Sequence, residues 1–205
     1  MYRRVIKPIL DTLLSLLGLI LFSWLFLTII IAIEIDDPGP VFFTQKRVGI
    51  HKKYFKLYKF RSMKMSTPHD TPTHLLEDPD QYITRVGRFL RKFSLDETPQ
   101  LINILKQDMS MIGPRPALWN QYDLIAERDK YGANDVRPGL SGWAQINGRD
   151  ELPIDVKARL DGEYAKKIGF FFDLKCIFLT VFKVIRHDGV VEGGTGEKHK
   201  MESNK

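Results

Sequence analysis

The stretch Thr12-Leu13-Leu14-Ser15-Leu16-Leu17-Gly18-Leu19-Ile20-Leu21-Phe22-Ser23-Trp24-Leu25-Phe26-Leu27-Thr28-Ile29-Ile30-Ile31-Ala32-Ile33 decides how the rest of the chain is arranged. As a helix these roughly 22 residues extend about 33 Å, enough to cross a bilayer core. Apolar on every face, the run reads as membrane-embedded rather than as the core helix of a soluble protein. It is too long for the apolar part of a signal peptide, and its exit through Glu34, Asp36 and Asp37 has no small-residue cleavage pattern. Arg3, Arg4 and Lys7 precede it, and Lys46, Arg47, Lys52 and Lys53 follow, so the positive-inside rule does not choose an orientation. Two arrangements stay open: a helix that turns back inside the bilayer, and a single span with the N-terminus outside. Pro8 sits near its start, and Asp11 and Ser23 are its polar interruptions.

Beyond Asp37-Pro38-Gly39-Pro40 the chain turns soluble in character. The 205 residues suffice for one domain plus an appendage, divided as a membrane helix over 1–36, a domain over 37–188 and a loose tail over 189–205. A net charge of +6 points to anionic partners such as a membrane surface or phosphates, and no nucleic-acid recognition motif is present. Cys176 is the only cysteine, which excludes an intrachain disulfide.

Val41 to Gln45 and Tyr54 to Phe60, rich in aromatic and β-branched residues around a polar turn, predict a short β-hairpin carrying Lys59 and Arg61. Residues 64–81 read as a loop, and His69 and His74 there lack companions at metal-ligand spacing. From Tyr82 the spacing of Val86, Phe89, Leu90 and Phe93 predicts a helix with one apolar face, opposite Arg85, Arg88, Arg91 and Lys92. Leu160, Tyr164 and Ile168 place Asp161 on another helix, and Leu174 to Ile185 predicts an amphipathic helix lying along a membrane surface. The fold class expected is α+β, mainly helical.

Asp96 and Glu97 form the densest chemical signal. They follow the basic helix and precede the rigid loop Gly113-Pro114-Arg115-Pro116, and acids beside fixed guanidinium groups suit phosphate chemistry. Ser94 and Glu97 have capping-box spacing, whereas Pro99 favours a helix starting at Thr98. Either register puts the acids at a helix N-terminus, where the macrodipole would keep Asp96 ionised. The alternative for the whole stretch is an ordinary capped helix on a charged surface.

Taken in order, Phe42-Phe43-Thr44-Gln45, Tyr58-Lys59-Phe60-Arg61, Ser94-Leu95-Asp96-Glu97, Gly113-Pro114-Arg115-Pro116, Val136-Arg137-Pro138-Gly139, Gly142-Trp143-Ala144-Gln145, Asn147-Gly148-Arg149 and Phe172-Asp173-Leu174-Lys175 resemble the small monotopic phosphoglycosyl transferases of bacteria, the bacterial sugar transferases. The resemblance implies a membrane enzyme on the cytoplasmic face that moves a phosphosugar from a UDP-sugar to polyprenyl phosphate, releasing UMP and beginning glycan assembly. It implies Asp96 as covalent nucleophile and Glu97 as ligand of Mg²⁺. Lys59, Arg91, Arg115, Arg137 and Arg149 would hold phosphates, with Asp161 and Asp173 as supporting carboxylates at the substrate. It also implies a re-entrant membrane helix, although relatives carry Ser-Pro where this chain has Ser23-Trp24. A homo-oligomer, the sugar and the final glycan are left open. Two rival readings accompany it: direct displacement with Asp96 as base, and a non-catalytic, membrane-anchored basic scaffold.

Overall fold

The apolar run does not form one helix. In the computed structural model, which describes residues 1–67, 79–148 and 152–186, it is divided between helix α1 (Lys7–Leu21) and helix α2 (Ser23–Asp36), bent by 61° at Phe22. No single helix among the described residues is long and apolar enough to cross a membrane, but this bent pair is, by length and composition. At the bend the Ser23 hydroxyl donates to the Ile20 carbonyl at 2.9 Å, so serine does here by back-bonding what proline does by lacking an N–H.

The apolar run enters α1 behind a polar stripe, of which only Ser15 belongs to the run itself. Lys7, Asp11 and Ser15, four residues apart, form one buried polar stripe. Asp11 accepts from the Ser110 hydroxyl at 2.6 Å and the Met111 amide at 3.1 Å, and Ser15 donates to the Leu101 carbonyl at 2.6 Å. Leu13, Leu14, Leu16, Leu17, Ile20 and Leu21 stay exposed on the remainder of the helix. Tyr2, ahead of α1, and Lys7, its first residue, both donate to Asp173, at 2.6 and 2.8 Å, and Arg3 donates to the Asp135 carbonyl. Since α2 leads directly into the first strand, both ends of the bent pair lie against the same domain.

Strands β1 (Phe42–Val48) and β2 (Tyr54–Phe60) form the expected hairpin, antiparallel with Phe43 opposite Lys59. Its turn puts His51 and Lys52 at positive φ, and β1 runs three residues past the predicted end. Helix α3 (Arg85–Lys92) starts at Arg85 rather than Tyr82, because the Thr84 hydroxyl caps it by accepting from the Gly87 amide at 2.8 Å. Ile29, Ile33, Phe60 and Leu90 join α2, β2 and α3 in one core cluster. Phe89 and Phe93 instead face outward in ring contact, beside Arg85, Arg88 and Lys92, so the apolar face read from the sequence is split between core and surface.

Helix α4 (Gln100–Leu105) leads to β3 (Ser110–Ile112), which pairs in parallel with β4 (Gly139–Ser141), a sheet the sequence reading missed. Between the two lies α5 (Tyr122–Asp129), and after them α6 (Trp143–Ile146) and α7 (Ile154–Lys167). Helix α8 (Phe170–Arg186) carries Asp173 and Cys176 into the core and exposes Phe170, Phe171, Leu174, Phe178, Val181 and Phe182 along one face. His69, His74, Arg149 and the tail over 189–205 lie outside the described residues.

Candidate active site

The backbone around the acid pair differs from both predicted registers. Ser94 adopts a left-handed conformation (φ 55°) that ends α3, Leu95–Glu97 make a single 3₁₀ turn, and α4 begins only after Pro99. The Ser94 side chain makes no cap, so the capping box is absent, and α4 starts later still than the Thr98 register, with Pro99 rather than Thr98 in the N-cap position. A six-residue helix is too short for its macrodipole to govern Asp96, and the expectation that a helix terminus keeps Asp96 ionised gives way to local charges.

Those charges come from three elements. Strand β2 supplies Lys59, whose ammonium donates to Glu97 Oε1 at 2.7 Å. The loop after β3 supplies Arg115, whose Nη2 donates to the same oxygen at 3.0 Å. The end of α3 supplies Arg91, steered by its Nε donating to the Ser62 hydroxyl at 2.9 Å. Asp96 is 8% exposed at the centre of this group. Burial, then the negative charge of Glu97, push its carboxyl above the ordinary range, against the pull of Lys59, Arg91 and Arg115. Burial alone would raise Glu97 as well, but Arg115 and Lys59 overrule it and hold that carboxyl well below the usual carboxylate range. The two neighbours therefore differ in kind. Glu97 is a committed, ionised anion, whereas Asp96 accepts no hydrogen bond from the described residues.

Arg91 reaches this position because α3 crosses the chain closely. A Cβ on Gly87 would lie 2.0 Å from the Ser62 carbonyl oxygen, so only glycine lets the helix approach. The Arg115 loop is fixed from its carbonyl side: Pro114 accepts from the Gly139 amide at 2.9 Å, Arg115 from Arg128 at 3.0 Å and Pro116 from Arg47 at 2.9 Å.

Lys59, Arg91, Arg115, Asp96 and Glu97 are thus brought together. Arg137 is half-buried beside the loop, its carbonyl facing Gly113, but it is not among the cations acting on the two acids. Asp161 and Asp173 do not join them. Asp161 on α7, 1% exposed, takes two hydrogen bonds from Arg128, and Asp173 takes bonds from Tyr2, Lys7 and Tyr164 (2.7 Å) inside the core. Both carboxylates are turned inward, because the elements around them bury their heads among donors. Sequence reasoning missed Ser62 and Arg128, whose roles rest on contacts 29 and 13 residues away with no local pattern.

The arrangement suits an attack on a charged phosphate. An uncommitted carboxylate lies in a pocket of cations, with a second acid whose charge is already balanced.

A family model described as bacterial sugar transferase matches residues 2–187. Over 186 residues the chain is 40% identical to "Uncharacterized sugar transferase EpsL" of Bacillus subtilis (strain 168), covering 91% of this chain and 90% of that protein. It is 41% identical over 188 residues to the UDP-glucose:undecaprenyl-phosphate glucose-1-phosphate transferase of Escherichia coli (strain K12), covering 88% of this chain and 40% of that protein. It is 38% identical over 187 residues to the UDP-N-acetylgalactosamine-undecaprenyl-phosphate N-acetylgalactosaminephosphotransferase of Aeromonas hydrophila, covering 88% and 44%. The chain therefore spans less than half the length of these last two relatives.

Proposed function

The chain belongs to the bacterial sugar transferase family, and from that premise we propose that it transfers a phosphosugar from a UDP-sugar to a polyprenyl phosphate, releasing UMP, with Asp96 as covalent nucleophile. The observation that carries this is the contrast within the acid pair: Asp96 buried and uncommitted among Lys59, Arg91 and Arg115, beside a Glu97 already balanced. The relatives' names add support, since two of them give undecaprenyl phosphate as acceptor and two different sugars.

In the first half-reaction an Asp96 carboxylate oxygen attacks the sugar-side phosphorus. The bond from that phosphorus to the bridging oxygen breaks, and UMP leaves with the electron pair. In the second, a phosphate oxygen of the polyprenyl phosphate attacks the same phosphorus and frees Asp96. Burial raises the basicity of Asp96 and so its nucleophilicity, while the three cations lower the repulsion between attacking and attacked anions. The covalent stage lets one small site take a water-soluble donor and then a lipid acceptor.

Mg²⁺ fits this donor set. In phosphoryl-transfer sites it takes one or two carboxylates plus substrate phosphates, and Glu97 is held ionised next to the nucleophile. No cluster of three or more metal-binding side chains exists among the described residues, so the substrate's phosphates would complete the coordination. Lys59 and Arg115 share Glu97 Oε1, whereas Oε2 takes only a 3.4 Å contact from Arg115 among the described residues, so Glu97 would hold the ion through Oε2, and the ion when bound supplies charge neutralisation to the diphosphate.

The bent α1–α2 pair enters and leaves one face of the membrane in this reading, since both of its ends rest on the same domain. The exposed apolar face of α8 and the Phe89–Phe93 pair with its flanking cations lie in the headgroup layer, which sets the site at the interface on the cytoplasmic side.

The test is UMP release by purified protein in micelles containing polyprenyl phosphate, screened over a panel of UDP-sugars. Release from one or a few donors, dependent on acceptor and lost in Asp96→Asn, is expected. Silence with every donor overturns the proposal.

A further inference from the structure

The Arg115 loop poses a problem of support. Pro114 and Pro116 bring no N–H groups, so hydrogen bonding to the carbonyls has to hold much of the loop. Two of its three carbonyl bonds come from arginines on other elements, and one of these, Arg128 at the end of α5, is itself 4% exposed. Its Nε and Nη2 donate to a single oxygen of Asp161, Oδ2, at 2.8 and 2.6 Å, and the same Nη2 donates to the Arg115 carbonyl at 3.0 Å. The other oxygen, Asp161 Oδ1, is buried without a hydrogen-bond partner among the described residues. A buried ion pair is a costly way to gain stability alone, since each ion gives up its hydration. An orphaned carboxylate oxygen adds to that cost. The pair is better accounted for by what its third bond fixes.

We infer that Arg128 and Asp161 form a buried positioning pair that aims Arg115 at the acid pair, so that Asp161 serves the reaction through Arg128 rather than by touching substrate. The chain of contacts is continuous: Asp161 orients the Arg128 fork, Arg128 holds the Arg115 carbonyl, and Arg115 donates to Glu97 at 3.0 Å. Lysine at 128 would keep the charge opposite Asp161. Nη2 alone already serves both Asp161 and the loop, so what lysine lacks is the second bond from Nε and the planar fork that fixes the direction of the first.

The effect on rate rests on the proposed phosphosugar transfer; the effect on the loop does not. Arg128→Lys is expected to lower kcat for UMP release at saturating donor on the order of 10²-fold, the usual consequence of a misplacement near 1 Å. In an Arg115→Ala background the same change should add less than about twofold, because both substitutions remove one shared contribution. Leu124→Ala, four residues before Arg128 in the α5 core, loosens the same packing without removing any hydrogen bond of the pair; it controls for lost stability and should leave kcat within about threefold. Hydrogen exchange of the peptide over 113–118, read by mass spectrometry, should be faster in Arg128→Lys than in Leu124→Ala. If Arg128→Lys does not fold, Asp161→Asn takes its place in the same cycle. An equal loss of rate in both Arg115 backgrounds overturns the inference, and so does loop exchange no faster than in the control. A wild-type protein that releases no UMP overturns the functional reading instead, and the exchange measurement then decides on the pair by itself.

Discussion

Replacing Gly87 by alanine places one methyl group where α3 crosses the chain at Ser62. The new carbon would stand 2.0 Å from the Ser62 carbonyl oxygen, 2.7 Å from its carbon and 2.8 Å from its Cα, where real contacts of this kind do not fall below 3.0 Å. The obstacle is backbone on a segment bonded to α3 through the Thr84 amide, so no side chain can swing aside. The helix must withdraw by about 1 Å or more. Alanine gains about 1 kcal/mol of helix propensity over glycine, while forced overpacking costs about 1–3 kcal/mol. For a backbone clash the upper part of that range applies, leaving a net loss of about 1–2 kcal/mol, or about 2–8 °C in Tm. The larger consequence is catalytic. Arg91 lies one turn further along α3 and is steered by the Ser62 hydroxyl, so the withdrawal carries its guanidinium away from Asp96. A shift of this size predicts a fall in kcat on the order of 10²-fold. UMP release and thermal unfolding in the same detergent measure both quantities. Alanine at 87 with unchanged Tm and kcat would refute the account of how Arg91 is placed.

Removing a cation near Asp96 destabilises its ionised form, so Lys59→Met should raise a carboxyl already raised by burial; the acid limb of kcat/KM then moves to higher pH, and a limb that stays put or moves lower contradicts the charge assignment. Asp173→Ala removes the close partner of Lys7, which keeps Asp11 at 3.9 Å, together with an acceptor of the Tyr2 and Tyr164 hydroxyls; breaking a buried ion pair costs about 3–5 kcal/mol, and the remaining Asp11 contact puts this one at about 3 kcal/mol. It should show as loss of membrane-extracted folded protein, while wild-type yield and Tm would show that this cluster does not join α1 to α8. A cysteine at Arg3 should resist an impermeant maleimide applied outside intact cells and react once the cells are opened; labelling from outside would rule out a pair that returns to one face.

The parts of the fold that announce themselves by periodicity were legible in the chain: the hairpin, the helix bearing Asp161 and the amphipathic α8. Lys7, Asp11 and Ser15 also have helical spacing, but two of them lie before the apolar run and the third is a single serine among leucines, so average hydropathy hides the stripe. The split of α3 was invisible for another reason. Which of Phe89, Leu90 and Phe93 faces inward depends on where Gly87 lets the helix touch Ser62, a long-range contact. The acid pair was legible directly, with Arg91 and Arg115 near it along the chain, but Lys59 could be joined to it only through family resemblance, because Lys59 and Glu97 stand 38 residues apart. Resemblance also carried Asp161 and Asp173 toward the substrate, where the hydrogen bonding turns them inward. Nothing local in the sequence marks Arg128 off from the other basic residues of the surface; its burial comes from the packing of α5 on α7.

The central claim, that Asp96 carries the phosphosugar between donor and acceptor, is tested most directly without any acceptor. Purified protein is incubated with a UDP-sugar carrying ³²P on the sugar-side phosphate, quenched, digested and mapped by mass spectrometry. The account predicts label on the peptide containing Asp96, approaching one equivalent, with matching UMP release, discharge on adding polyprenyl phosphate and no label in Asp96→Asn. A protein that turns over in the presence of acceptor yet never holds label on Asp96 would contradict it.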